Sequence, residues 1–548
     1  MQRRSLVTFI IAVCCGITGY SQQQKIDLLI YNANVYTVDK KFSRTEAVAV
    51  DQGTIVATGK STDLLKRYAA ASSIDAKGNY LYPGFIDAHS HFISYSTSLY
   101  SVDLYDSKSS GELSDRVSDF AKKHPALEWI TGRGWDQNKF ADKAFPDNDQ
   151  LNELFPDKPV LLGRVDGHAA LANQKALDLA HVHAGDTING GVIGTKNGKL
   201  TGLLVDNAVS LVASRVPRPT IPQLTAMLKE GEKNCFGVGL TTVSDCGIDY
   251  KHAVLIDSLQ RAGAVRLRVF AMLGDDPANY LVAFRHGKIN TGRMHVNAFK
   301  VYADGALGSR GACLLQPYAD QPGWTGFLLS SSAHFDSVAK VIYEHDWQMC
   351  THAIGDSANR VVLQIYGKYL QGKNDKRWRI EHAQVVSRAD IASFGRYNII
   401  PSVQPTHATS DMYWAGDRLG PDRLKTAYAY RDLLNQNGWI PLGTDFPVED
   451  ISPLKTFYAA VVRKDPKGWP PGGFQPDNAL TRIQALRGMT IWAAMANFEE
   501  SVKGSIERGK MADLVLLDQD LLTAPASSLL STHVVKTWVG GELVFDKK

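Results

Sequence analysis

His89 and His91 stand two residues apart at the end of the apolar run in PGFIDAHSHF. On a β-strand, residues i and i+2 share a face, so both imidazoles reach one point, as two ligands of a single cation must. Taken alone, H-x-H is a weak signal, and two loop histidines without a ligand role account for it better. Other apolar runs, however, end in similar chemistry: Lys300 in NAFKVYADGAL, His352 in MCTHAIGD, His382 in RIEHAQVV, His407 just past SVQPTH, and Asp445 in PLGTDFP. If these runs are parallel strands of one barrel, their C-terminal ends ring a single mouth, and residues hundreds of positions apart converge by topology alone.

The runs themselves support that arrangement. Candidate strands are GFIDAH, LTTVSD, VRLRVFAML, NAFKVYA, WQMCTH, WRIEH, NIIPSVQ and WIPLGTD, which makes eight. Between them lie segments with helical spacing of apolar residues, such as IPQLTAMLKEGEKNCFG, KHAVLIDSLQRAG, DSANRVVLQIYGKYL and PLKTFYAAVV. Alternating strands and helices imply a parallel sheet, and eight such units imply a closed TIM-like (β/α)8 barrel, an α/β fold. Residues 92–221 separate the first strand from its helix, too long for a βα loop, and are expected to form a subdomain over the mouth. The segments before and after the barrel have short β-type texture, and Gly540-Gly541 reads as a two-residue hairpin turn. Neither terminal segment is long enough to fold alone, so both are expected in one small β-sandwich domain. The resulting map is a signal peptide over 1–21, a composite domain from 25–82 and 504–548, and the barrel over 83–503 with its insertion at about 92–221.

The whole chain has 548 residues, 44% of them hydrophobic and 21% charged, which excludes a disordered or fibrous protein. Its formal charge is only +4 and no dense Lys/Arg run follows the leader, so neither a nucleic-acid footprint nor a polybasic membrane patch is expected. The expected partner is a small molecule, and the assembly considered is a homodimer. Residues Met1 to Ser21 combine a basic start, an apolar stretch and small residues around Tyr20, the pattern of a cleavable secretory signal. That predicts export to a periplasm, with a lipid anchor at Cys14 or Cys15 as the alternative and no membrane span after cleavage. Cys235, Cys246, Cys313 and Cys350 lie in apolar or Gly-rich stretches with wide spacing, expected as free thiols rather than a zinc-thiolate site. GVIGTKNGK lacks phosphate-loop spacing, and no G-x-S-x-G elbow supplies a serine nucleophile.

The motifs PGFIDAHSHF, RVDGHAALANQKAL, KVYADGALGSRGA, HAIGD, RIEHAQ, PLGTDFPV and GSIERGKMADLVLLD together resemble the amidohydrolase superfamily. The similarity is to the family 3 branch that includes N-substituted formamide deformylases, and it runs from about residue 27 to 546. Two segments, LNEL at 151–154 and HAALANQKAL at 168–177, depart from that branch's usual pattern, which touches substrate contacts rather than metal positions. The resemblance implies that His89, His91 and Asp445 hold one divalent ion and that His352 and His382 hold a second. Lys300, carbamylated, would bridge them, because a neutral lysine that takes up CO2 offers two anionic oxygens. An uncarbamylated Lys300 paired with Asp304, and a single-ion site, is the competing reading. Imidazole and carboxylate donors without thiolate make Zn2+ the default, with Mn2+, Fe2+ or Co2+ as alternatives.

The expected function is a metal-dependent hydrolase of carbon–nitrogen bonds other than peptide bonds. Its first-guess substrate, from resemblance, is a small amide such as an N-acyl or N-formyl amine. Two ions would bring the pKa of a shared water from ~15.7 towards neutrality, and Asp445 would serve as general base and then acid. His168 and His407 are candidates to hydrogen-bond the substrate carbonyl, and for His168 a structural role in the insertion is weighed equally. Asp304 and Arg310 are expected to pin their loop. Trp135, Phe140, Trp324 and Trp414 either line an apolar pocket or pack beneath their own loops. Cyclic imides, carbamates, esters or lactones on the same site are the alternatives within the class; a non-catalytic small-molecule-binding barrel is the alternative outside it.

Overall fold

The computed structural model describes residues 23–547, and the leader expected over 1–21 lies outside them. Seven parallel strands form the barrel path of the central sheet, in spatial order from the seventh back to the first, and the short strand Ile289–Asn290 pairs antiparallel with the fourth. They are Phe85–Ser90, Leu240–Ile248, Arg268–Gly274, Met294–Tyr302, Gln348–Ala353, Arg379–His382 and Ile400–Ser402. Nearly every residue of these strands is buried, because helices cover the outer face and side chains fill the inner one, which is why they read as unbroken apolar runs.

The eighth place is filled by 440–445, an irregular extended segment rather than the regular strand expected there. Gly443 N donates to the Val403 carbonyl at 3.0 Å on one side. On the other side, Ala88 N donates to Leu442 O at 3.2 Å and Asp445 N to His89 O at 2.8 Å, so the barrel closes. Pro441 has no N–H to offer, and Asp445 has φ +65°, which turns the chain out of the ladder. Gly443 is required by the closure: a Cβ there would sit 2.5 Å from His89 N.

Both ends of the chain build one β-sheet, in which Val534–Val539, Glu542–Asp546 and Leu514–Leu517 pair onward to Tyr80–Pro83 and Asn34–Tyr36. A second sheet of four N-terminal strands packs on it, and Leu28, Ile30, Val48, Leu81, Leu514 and Trp538 form the shared core. The turn at Gly540-Gly541 has φ +57° and +74°, the left-handed pair that a two-residue hairpin requires. After the first barrel strand come helix Phe92–Ser98 and then a six-stranded mixed sheet of the insertion, followed by helix Ile221–Gly237. Segment 191–199 proves to be one hairpin of that sheet, Gly191–Lys196 against Lys199–Asp206. Gln137 ties the insertion to the barrel, accepting from Arg164 Nε at 2.7 Å and donating to Gly308 O at 3.2 Å. Among the described residues, no helix is long and apolar enough to cross a membrane.

Candidate metal centre and its cavity

The first barrel strand carries His89, and His91 follows at the cap of the next helix. Lys300, His352 and His382 end or nearly end the fourth, fifth and sixth strands, His407 lies in helix Pro405–Asp411, and Asp445 ends the eighth segment. Asp445 Oδ1 lies 3.4 Å from His89 Nε2 and 3.2 Å from His91 Nε2. The tautomers at this point follow from the far side of each ring. His89 Nδ1 is 2.6 Å from Glu381 Oε2 and His91 Nδ1 is 3.0 Å from the Cys246 carbonyl. Both partners are acceptors, so each Nδ1 carries the proton and each Nε2 keeps its lone pair as an electron-pair donor. Three electron-pair donors thus converge on one buried point, and Asp445 Oδ1 has no hydrogen-bond donor there. A divalent cation satisfies all three, so the residues fit the metal that the sequence implies.

Burial, then the Lys300 charge, lowers the pKa of His89 to about 4, which keeps it in the neutral form that ligates. Burial also holds His352 and His382 well below the ordinary histidine value. His352 Nε2 and His382 Nδ1 are buried without partners, and the two rings stand 4.5 Å apart between centroids. A second cluster with ligand atoms within 4.8 Å comprises His382, His407 and Asp445; His352 is in neither group of three. His407 is poorly suited to ligation, since its Nε2 lies 3.0 Å from Asp445 Oδ2 and its Nδ1 3.3 Å from Glu449 Oε1. Burial opposes its charge, but those two carboxylates raise its pKa well above the usual value, so both nitrogens donate. Burial likewise opposes ionisation of Asp445, and the hydrogen bond from His407 with the neighbouring His89 and His91 rings holds it well below the carboxylate range.

Lys300 Nζ lies 3.2 Å from His89 Nε2 and over the Tyr302 ring. It does not pair with Asp304, which corrects the competing reading of that lysine. Asp304 is fully buried and accepts instead from three backbone amides, those of Cys313, Ile354 and Gly355, because the following loop folds back over it. Arg310 pairs outward with Asp320 at 2.9 Å.

Above the centre lies a cavity of about 940 Å³, lined by His91, His168, His352, His382, His407 and Asp445 together with residues of the insertion. His168 enters it from the insertion: its ring centroid is 4.9 Å from that of His352, and its Nδ1 lies 2.7 Å from Asp206 Oδ1. Of the four aromatic residues considered for a pocket wall, only Trp414 lines this cavity. Trp135 and Phe140 are buried in the insertion's own core, with the Trp135 indole N–H satisfied by Leu162 O at 2.7 Å. The Trp324 indole N–H donates to Arg310 O at 2.8 Å beneath its loop.

Sequence reasoning missed the residues that hold the ligands in place. Glu381 fixes His89, and Asp87 ties the first strand to the eighth by accepting from Thr444 Oγ1 at 2.7 Å and from His89 N at 3.1 Å. Glu381 was visible as the acid beside His382 in RIEH, and Asp87 as the acid two before His89, both i−1 or i−2 to a ligand. Asp206 and Arg133, in the insertion, carried no local signal.

A family model described as an amidohydrolase family matches residues 73–545. The chain is 27% identical over 553 residues to an N-substituted formamide deformylase of Arthrobacter pascens, covering 96% of this chain and 99% of that one. It is 30% identical to the protein LONG AFTER FAR-RED 3 of Arabidopsis thaliana, covering 95% and 91%. Among solved structures, an uncharacterized metal-dependent hydrolase from Pyrococcus horikoshii superposes with a TM-score of 0.75 at 27% identity, covering 91% of this chain and 99% of that one.

Proposed function

From the premise that the chain belongs to the amidohydrolase family and is a metal-dependent hydrolase, we propose that it cleaves the C–N bond of a small amide of the N-acyl or N-formyl amine type. The observation that carries this reading is the convergence of the His89 and His91 lone pairs with the Asp445 carboxylate at the floor of an open cavity. His89, His91 and Asp445 would hold one ion, with His352, His382 and a carbamylated Lys300 completing a pair. Such ions, Zn2+ by donor type, supply an acidified water and an electrophile for the carbonyl.

The protein's own residues do the rest. Asp445 keeps one oxygen among the ligands and the other on His407, so it is ionised and placed to take the proton of the attacking water. Returning that proton to the nitrogen of the broken bond lets an amine depart rather than an amide anion. His407 holds Asp445 in orientation through Nε2 and is itself held by Glu449. His168, fixed by Asp206, faces the cavity beside His352 and is placed to contact the substrate carbonyl. This reading is preferred to a non-catalytic small-molecule-binding barrel because binding alone does not require a carboxylate shared between ligand histidines and a hydrogen-bonded His407. The test is turnover of a panel of small amides, cyclic imides and esters by purified, metal-loaded protein. Hydrolysis of amides with amine release supports the reading; binding of the panel without turnover overturns it.

A further inference from the structure

Cations in the cavity wall are, with one exception, neutralised in place. Lys139 pairs with Asp106 at 2.8 Å, Lys455 pairs with Asp450, and Arg164 lies between Asp136 and Asp166. Arg133, on strand Ile130–Trp135 of the insertion, has no carboxylate within 4.0 Å among the described residues. Its Nη2 donates to the Val165 carbonyl at 3.0 Å, and the guanidinium also lies beside the Tyr105 hydroxyl. Its Nε is shielded from solvent and has no partner at all. Arg133 nonetheless lines the cavity, so the part of its always-charged guanidinium that faces the cavity is open to a bound acceptor.

The position of this guanidinium is informative. The guanidinium lies against Gly167, where a Cβ would stand 3.4 Å from Nη2 and 3.6 Å from Nη1, in ordinary contact. The next residue is His168, whose ring lies tilted beside that of the candidate ligand His352, with centroids 4.9 Å apart. On the barrel side, Glu449 and Asp411 face the same cavity, and each is tied to neighbouring side chains, Glu449 to His407 and Asp411 to Tyr428 at 2.9 Å. Carboxylates line both sides of the cavity, and among its Lys and Arg side chains Arg133 is the one without a carboxylate partner within 4.0 Å among the described residues. An anionic substrate group therefore meets at Arg133 a positive charge that no carboxylate of the wall already neutralises.

We propose that Arg133 is the recognition group for a carboxylate carried by the substrate, so that the amide cleaved here bears an acidic substituent on its acyl or its amine side. This deepens the hydrolase reading above and rests on it. A carboxylate matches the planar guanidinium fork, and neither a neutral acceptor nor a cationic amine does so as well. Arg133 would thereby choose and orient the substrate without touching the scissile bond.

The experiment compares matched pairs with the metal-loaded enzyme: an N-acyl amino acid and its uncharged carboxamide, with the acid on the amine side, and a dicarboxylic monoamide and its diamide, with the acid on the acyl side. At least one acid is expected to exceed its neutral partner in kcat/KM by roughly tenfold to a hundredfold, the worth of a hydrogen bond to a charged group. Arg133→Gln is expected to bring that ratio to about one through KM, while Arg133→Lys, which keeps charge but loses the fork, falls between. A wild-type ratio of one or less for both pairs overturns the proposal, as does a ratio that Arg133→Gln leaves unchanged in a folded variant. If no amide is turned over, the hydrolase reading fails separately. Calorimetric binding of the same pairs then decides the subsite: tighter binding of an acid that Arg133→Gln abolishes sustains it, and equal binding overturns it.

Discussion

Replacing Glu381 by glutamine removes one charge at a fully buried position and leaves shape nearly unchanged. Glu381 Oε2 receives the Nδ1–H of His89 at 2.6 Å, while Arg379 Nη1 stands 4.0 Å from its other oxygen. Burial opposes its ionisation, but the adjacent His89, Arg379 and Lys300 hold its pKa below the ordinary value, so it is the carboxylate that grips His89. A charge-assisted hydrogen bond is worth about 1.5–3 kcal/mol and a neutral one about 0.5–1.5 kcal/mol, so the exchange weakens the grip by roughly 1–1.5 kcal/mol. Lost grip appears as a less basic, less well aimed Nε2. The dissociation constant of the ion held by His89 is therefore expected to rise about tenfold, within the roughly 10–100-fold range seen when partners of metal ligands are altered. Alanine is the wrong choice here, since it strands Arg379 in the core without a counter-charge. The assay is competition between the apoprotein and a chromogenic chelator for zinc, with far-ultraviolet circular dichroism as the control for folding. A folded Glu381→Gln protein that binds zinc as tightly as the wild type would refute the claim that Glu381 orients a metal ligand.

Three further outcomes are expected. Asp445→Asn, which cannot take up a proton, is expected to lose turnover by at least about a hundredfold while remaining folded; near-normal kcat in that variant removes Asp445 from proton transfer. Lys300→Ala is expected to lose activity and regain part of it with added formate or acetate if a carbamate bridges the ions; full ion content without rescue favours an unbridged centre. At the other end of the barrel, Glu499 pairs with Lys503 at 2.8 Å and lies near His295. Burial opposes its charge, but Lys503 and His295 bring its pKa from 4.5 to about 2. Because the folded value is depressed, its contribution is complete above pH 4.5 and is lost as pH falls from there towards 2. It amounts to roughly 3 kcal/mol at neutral pH. Urea midpoints of Glu499→Gln are expected to be lower at pH 7 and to depend less on pH in the acid range; parallel pH profiles contradict the linkage.

Which residues could be read in advance follows from what positions them. His89, His352 and Lys300 sit on regular strands of a parallel barrel, where alternation fixes the face and topology fixes the end, so composition and spacing locate them without coordinates. Glu381 defeats that rule. It precedes His382 by one residue and alternation would send the two to opposite faces, yet His382 has φ +71° and the chain turns at the strand's last residue, so both side chains reach the centre. Asp445, at φ +65°, leaves its ladder in the same way. The insertion has no closed barrel to dictate where its side chains point. The pairing of His168 with Asp206 depends on the antiparallel register Ala169↔Val205, which no local pattern reveals, and of the two readings open for Trp135 and Phe140 it is packing that holds, because they fill a separate core. Arg133 is hidden for the same reason: an arginine in a strand ordinarily finds a carboxylate, and its lack of one appears only when the cavity wall is assembled. The barrel thus carries the chemistry in residues that topology makes legible. On the reading proposed above, the residues that would choose the substrate belong to the insertion, where only packing discloses them.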